Sequence, residues 1–149
     1  MKIGVVGLGY WGPNLVRNFL STNNVDGVVC CDMSERRLQL AKQKFPSVEV
    51  TSSYDELLAR PDVDAVVVAT PVSTHFPLGI KALQAGKHLL LEKPMTSSVD
   101  EAQRLVDAAA ASGLIVLQLA SGNEAADASA ARKRCEAGYS SGRKKFSGH

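Results

Sequence analysis

The sequence is short of the residues that build metal and redox centres. Its three cysteines, Cys30, Cys31 and Cys135, form neither a C-x-x-C pair nor an array with ligand spacing, so no metal site and no redox motif is expected. Cys30 and Cys31 are neighbours in an apolar run. Adjacent strand residues point to opposite faces, so both read as inert buried thiols in a reducing compartment. No apolar run approaches the ~20 residues that cross a bilayer. The chain opens without a basic n-region or a cleavage-type segment, and a cytoplasmic location is expected. A net charge of +2 is too small to argue for nucleic acid or a membrane surface as partner. No repeat at a solenoid period is present.

What is present begins at once. The run Ile3 to Val6 is apolar and ends in glycines at 7, 9 and 12, after which a helical pattern starts. This is G-x-G-x-x-G between a strand and a helix, the context in which that spacing has a mechanism. Gly7 allows the tight turn, Gly9 lets the backbone approach a pyrophosphate, and Gly12 lets the helix pack closely on the strand. The N–H groups and positive end of the helix then face the phosphates. About twenty residues further on, Val28-Val29-Cys30-Cys31 ends in Asp32, where a carboxylate can accept both hydroxyls of an adenosine ribose. The carboxylate also repels a 2′-phosphate, which favours NAD over NADP. Arg36 and Arg37 follow closely and soften that preference.

The remaining chain alternates strand and helix. The segment Trp11 to Leu20 carries Leu15, Val16, Phe19 and Leu20 on one face, with Pro13 in its first turn, where the missing N–H costs little. Ser34 caps a helix with Leu38, Ala41 and Phe45 on one side, and Pro46 stops it. Ser53 with Glu56, and Ser98 with Glu101, have capping-box spacing. Ala65 to Thr70 is continuously apolar up to its last residue, as befits a parallel strand covered on both faces. A helix from Thr74 to Ala85 ends at Gly86, a strand spans Lys87 to Leu91, and a helix with Ala102, Leu105, Val106 and Ala109 inward ends at Gly113. Leu114 to Leu117 is the last strand. Six strands alternating with helices imply an α/β fold, a doubly wound parallel sheet of order 3-2-1-4-5-6 (a Rossmann fold) over residues 1–118. Its ligand crevice lies outside the carboxyl ends of strands one and four.

Two stretches narrow the reading. They are Ala69-Thr70-Pro71-Val72-Ser73-Thr74-His75 after strand four and Leu91-Glu92-Lys93-Pro94 after strand five. Together with Gly7-Leu8-Gly9-Tyr10-Trp11-Gly12, they resemble the amino-terminal half of the Gfo/Idh/MocA oxidoreductases, and Glu-Lys-Pro is the most specific element. The run Gly9 to Asn14 is most similar to members of the UDP-N-acetylhexosamine 3-dehydrogenase type. The resemblance implies hydride transfer between a nicotinamide and a hydroxyl of a sugar, nucleotide-sugar or polyol. It implies that Lys93 lies near the nicotinamide and a substrate hydroxyl as the catalytic group. It places Glu92 at the nicotinamide ribose and Thr70 and Pro71 in the nicotinamide pocket. His75 reads as a structural or substrate-rim residue beside that cofactor site. Tyr10 and Trp11 belong to the same loop, and Trp11 either covers the helix start or edges the cofactor. Relatives of full length form homo-oligomers.

From Ala120 onward the chain has no Leu, Ile, Val or Met, and six Lys or Arg stand against Glu124, Asp127 and Glu136. Too little apolar surface is available to offset ordering, so residues 119–149 are expected to be a disordered tail. A charged helix over Asn123 to Glu136 is the alternative. Family members continue instead into a second domain, so truncation, with the tail read out of frame, is the reading preferred here. Two functional classes follow: the cofactor-binding half of an oxidoreductase, or a nucleotide-binding module without turnover of its own. A dihydrodipicolinate reductase type is disfavoured by Glu92-Lys93-Pro94.

Overall fold

The computed structural model describes residues 1–119. Strands β1 (Lys2–Val6), β2 (Gly27–Cys31), β3 (Glu49–Thr51), β4 (Ala65–Val68), β5 (His88–Leu91) and β6 (Val116–Gln118) alternate with helices. The helices are α1 (Gly12–Leu20), α2 (Glu35–Lys44), α3 (Tyr54–Ala59), α4 (His75–Gln84) and α5 (Val99–Ser112). All pairings are parallel, and the order is β3-β2-β1-β4-β5-β6. The doubly wound order expected from the alternation is therefore the one observed.

Strands β1, β2 and β4 are apolar on both sides because helices cover both faces. One core cluster sets Val29, Cys31, Val66 and Val68 against Leu57 of α3, Leu83 of α4 and Leu105 of α5. The other sets Val5, Val28, Cys30 and Val67 against Val16 of α1 and Leu38 of α2. Cys30 and Cys31 thus face opposite layers, as strand geometry requires. Fully buried side chains such as Leu57, Leu91 and Leu105 each contribute roughly 1.5–3 kcal/mol of transfer free energy.

Local signals set most boundaries. Ser34, Ser53 and Ser98 each accept a hydrogen bond from the amide three residues on, capping α2, α3 and α5. The two expected capping boxes are only half closed. Glu56 accepts from the Thr51 hydroxyl, and Glu101 accepts from Ser97 N rather than Ser98 N. Gly86 and Gly113 end α4 and α5 with φ of 76° and 65°. Four expectations are corrected. Strand β6 begins at Val116 rather than Leu114, because Leu114 N donates to Ala109 O at 2.9 Å and still closes the end of α5. Strand β4 stops at Val68 because Ala69 and Thr70 turn into a loop, and a 3-10 turn over Val72–Thr74 precedes α4. Val106 points outward, 47% exposed, while Leu105 and Ala109 face the sheet. Leu119, the first residue of the expected tail, donates its N–H to Leu91 O at 2.9 Å; the rest of the tail and its alternative charged helix lie outside the described residues.

Candidate cofactor site

The crevice forms where the strand order reverses, between β1 and β4, and four loops meet at the carboxyl ends of the strands. Main-chain bonds set them side by side. Gly7 N donates to Cys31 O at 2.9 Å, Ala69 N to Val6 O at 2.8 Å, and Glu92 N to Val68 O at 2.9 Å.

The three glycines of the first loop have separate reasons to be glycine. Gly7 has φ 91°, and a Cβ there would stand 2.7 Å from Ala69 O. A Cβ on Gly12 would stand 2.2 Å from Gly7 O, so helix α1 can begin this close to the turn only without a side chain. At Gly9 a Cβ would meet nothing within 4 Å. Packing among the described residues does not require glycine there, and the space above it is open. Leu8, between them, is buried in the α1 layer. Tyr10 is 83% exposed, and its ring stands edge-on to Trp11 at 5.0 Å.

Helix α1 starts without a side-chain cap and without an acidic residue in its first turn, whereas α2, α3 and α5 have both. Pro13 has no N–H and Asn14 N donates to Trp11 O at 3.0 Å, so the α1 start offers an external acceptor the Gly12 amide; α4 likewise begins without a side-chain cap or a first-turn acid. The residues present fit a dinucleotide: a tight glycine turn, an open position where its phosphates would approach, and a helix start without a side-chain cap behind it.

Asp32 follows β2, and its side chain is only 5% exposed. Its Oδ2 accepts from Leu8 N at 2.7 Å and lies 3.5 Å from Arg37 Nη1, while Oδ1 accepts from Ser34 N at 2.8 Å. The acid therefore ties the glycine loop to the end of β2 and the start of α2. A carboxylate has about four acceptor positions, so Oδ1 retains capacity for a ribose hydroxyl. The tie to Leu8 N was not legible in the sequence, although an apolar residue between the first two glycines signals a loop anchored inward.

On the other side, the Thr70 and Thr74 hydroxyls are 2.6 Å apart, and Thr74 Oγ1 donates to Pro71 O at 2.7 Å. Glu92 accepts from Lys93 N at 2.6 Å, and the Lys93–Pro94 bond is cis. Lys93 and Pro71 are exposed, Thr70 and Glu92 half-buried, and His75 buried beneath them. His75 bridges the two loops, contacting Thr70 O and the carbonyls of Pro94 and Met95. Burial pushes the Cys30 and Cys31 thiols up to about 11, which makes them poor nucleophiles. Among the described residues no cluster of His, Cys, Asp or Glu has metal-binding geometry, and no helix is long and apolar enough to cross a membrane.

Comparison with known proteins agrees with this geometry. Residues 1–120 match the model of the Gfo/Idh/MocA oxidoreductase family, NAD-binding Rossmann fold. An alpha-N-acetylgalactosaminidase from Shewanella oneidensis is 32% identical over 118 residues, covering 73% of this chain and 26% of that protein. The chain thus spans about a quarter of the length of the curated relatives it matches. Among solved structures, GenD2 from gentamicin A biosynthesis, in complex with NAD, superimposes with TM-score 0.76 at 33% identity, over 79% of this chain and 34% of that one. KijD10, a 3-ketoreductase from Actinomadura kijaniata in complex with NADP and TDP-benzene, gives TM-score 0.74 at 29% identity, over 79% and 36%. The chain belongs to the Gfo/Idh/MocA oxidoreductases, of which it carries the NAD(P)-binding Rossmann domain.

Proposed function

We propose that this chain supplies the cofactor-binding half of an NAD-dependent oxidoreductase acting on a hydroxyl of a sugar, nucleotide-sugar or polyol. The observation that carries the reading is Gly9. It is a glycine that neither packing nor a left-handed φ demands, set before the uncapped end of α1. A dinucleotide pyrophosphate explains both.

When bound, the nicotinamide accepts the hydride that leaves the carbinol carbon. The chain's residues bind and orient. Amides from Gly9 to Gly12 take the phosphates, since Gly7 N and Leu8 N already donate to Cys31 O and Asp32, with Tyr10 and Trp11 over the loop. Asp32 takes an adenosine ribose hydroxyl while it keeps the loop in place. Thr70 and Pro71 line the nicotinamide end, supported by His75, and Glu92 takes the nicotinamide ribose. Lys93 holds or relays the hydroxyl proton as the carbon–oxygen bond becomes a carbonyl.

NAD is favoured over NADP because a carboxylate at Asp32 would repel a 2′-phosphate. Arg37, beside it at 3.5 Å, reduces the discrimination. A sugar or nucleotide-linked substrate is supported by the relatives' names: one is an N-acetylgalactosaminidase, and another was crystallised with TDP-benzene. The UDP-N-acetylhexosamine type is the finer choice, from Gly9 to Asn14. The test is calorimetric titration of the chain with NAD and NADP. NAD binding with NADP at least about tenfold weaker, a difference near 1.4 kcal/mol, is expected; binding of neither overturns the reading. Formation of NADH with a UDP-N-acetylhexosamine then separates an enzyme from a binding module.

A further inference from the structure

One ring joins the two loops that flank the crevice. His75 opens α4 and is 1% exposed. Its Nδ1 lies 2.9 Å from Pro94 O and 3.2 Å from Met95 O, and its Nε2 lies 2.8 Å from Thr70 O. A carbonyl oxygen accepts and cannot donate, while a neutral imidazole has one N–H and one bare nitrogen. Either neutral tautomer therefore sets a nitrogen lone pair against a carbonyl lone pair at hydrogen-bond distance, where water does not reach. The imidazolium has two N–H groups and satisfies both sides.

We propose that His75 is a positioning residue that acts as an imidazolium clamp, holding the Thr70 loop and the Pro94–Met95 loop at a fixed separation through main-chain carbonyls. Loss of its second proton releases one side. The consequence for the nicotinamide end rests on the cofactor reading above; the clamp itself does not.

Ionisable groups lie on α4 and on the elements that pack against it. Glu92 and Lys93 lie on the β5 loop, where Glu92 is engaged by Lys93 N. On α4 the next is Lys81, paired with Asp55 at 3.4 Å. On α5, Arg104 lies over the neighbouring Phe76 ring at 4.7 Å, and Glu101 accepts from Ser97 N. From α3, the Tyr54 hydroxyl donates to Leu78 O. Among the described residues, all the hydrogen-bond partners of the ring are main-chain carbonyls.

The test is a side-chain nitrogen NMR titration of the cofactor-free chain between about pH 5 and pH 8, with His75→Gln for assignment and control. The expected result is a ring protonated on both nitrogens at the acid end. Amides of Thr70, Lys93 and Met95 should shift with the same midpoint as the ring, and His75→Gln should abolish that coupled shift. A ring that keeps one bare nitrogen throughout overturns the clamp, as do loop amides that ignore the ring or respond equally in His75→Gln. Should His75→Gln not fold, the wild-type titration decides alone. With cofactor, His75→Gln should weaken NAD by about tenfold, as for one lost charged hydrogen bond, and ADP-ribose by less than about twofold. Equal losses of both overturn the role at the nicotinamide end. If wild type binds neither, the cofactor reading has failed and the ring titration still judges the clamp.

Discussion

Gly9→Ala and Gly12→Ala form a paired test, because the structure assigns these two glycines opposite reasons. At Gly12 the new Cβ would lie 2.2 Å from Gly7 O, short of a 3.0 Å floor by 3.0 − 2.2 = 0.8 Å. The obstacle is a main-chain carbonyl in a buried turn and cannot rotate away. The helix must move off the strand, and overpacking of this kind costs about 1–3 kcal/mol, here at the upper end. At Gly9 nothing lies within 4 Å, and positive φ occurs only at Gly7, Gly86 and Gly113 among the described glycines. Alanine there should leave the fold intact or stabilise it by about 0.4–1 kcal/mol, by restricting the unfolded chain. The same methyl would stand between loop amides and the pyrophosphate. Losing one charged hydrogen bond costs about 1.5–3 kcal/mol, so NAD should bind roughly 10- to 150-fold more weakly. Urea unfolding without cofactor and calorimetry with NAD read the two effects separately. Gly9→Ala destabilised by more than about 1 kcal/mol, or binding NAD as wild type does, would refute the assignment.

Asp32→Asn places an NH₂ where Leu8 N–H or Ser34 N–H now finds an oxygen, so it should lower cofactor-free stability by about 1–3 kcal/mol; an unchanged urea midpoint would show the loop tie to be idle. The folded chain holds the Cys30 and Cys31 protons up to about 11 against an ordinary 9.0. Their contribution is therefore complete below pH 9.0 and lost as pH rises toward 11, and iodoacetamide at neutral pH should leave the Cys30–Cys31 peptide unmodified until the chain is unfolded. At the opposite end of the sheet, Arg60 and Lys2 hold the Asp62 carboxyl well below its ordinary 3.8. That contribution is present above the ordinary value and lost as pH falls below it; Lys2→Met should flatten the acid limb of a stability–pH curve, and an unaltered limb would count against the network.

The helices and strands were legible because their signals are local. Ser34, Ser53 and Ser98 cap whatever helix follows them, and Gly86 and Gly113 end one by adopting a φ other residues avoid. Val106 was misplaced because two adjacent positions compete for one helical stripe, and only the contact with the sheet chose Leu105. The half-closed capping boxes have a similar cause: Thr51 and Ser97, brought close by the turn, took the glutamates instead.

The alternation of elements, the glycine loop, the acid after β2 and the family are all written in residue type at a short spacing. What those residues touch depends on the folded chain. Asp32 reaches Leu8 across 24 positions of chain, and His75 reaches Pro94 across 19. No local propensity encodes such a contact. It exists because parallel strands, hydrogen-bonded in register, bring the ends of distant segments to one edge of the sheet.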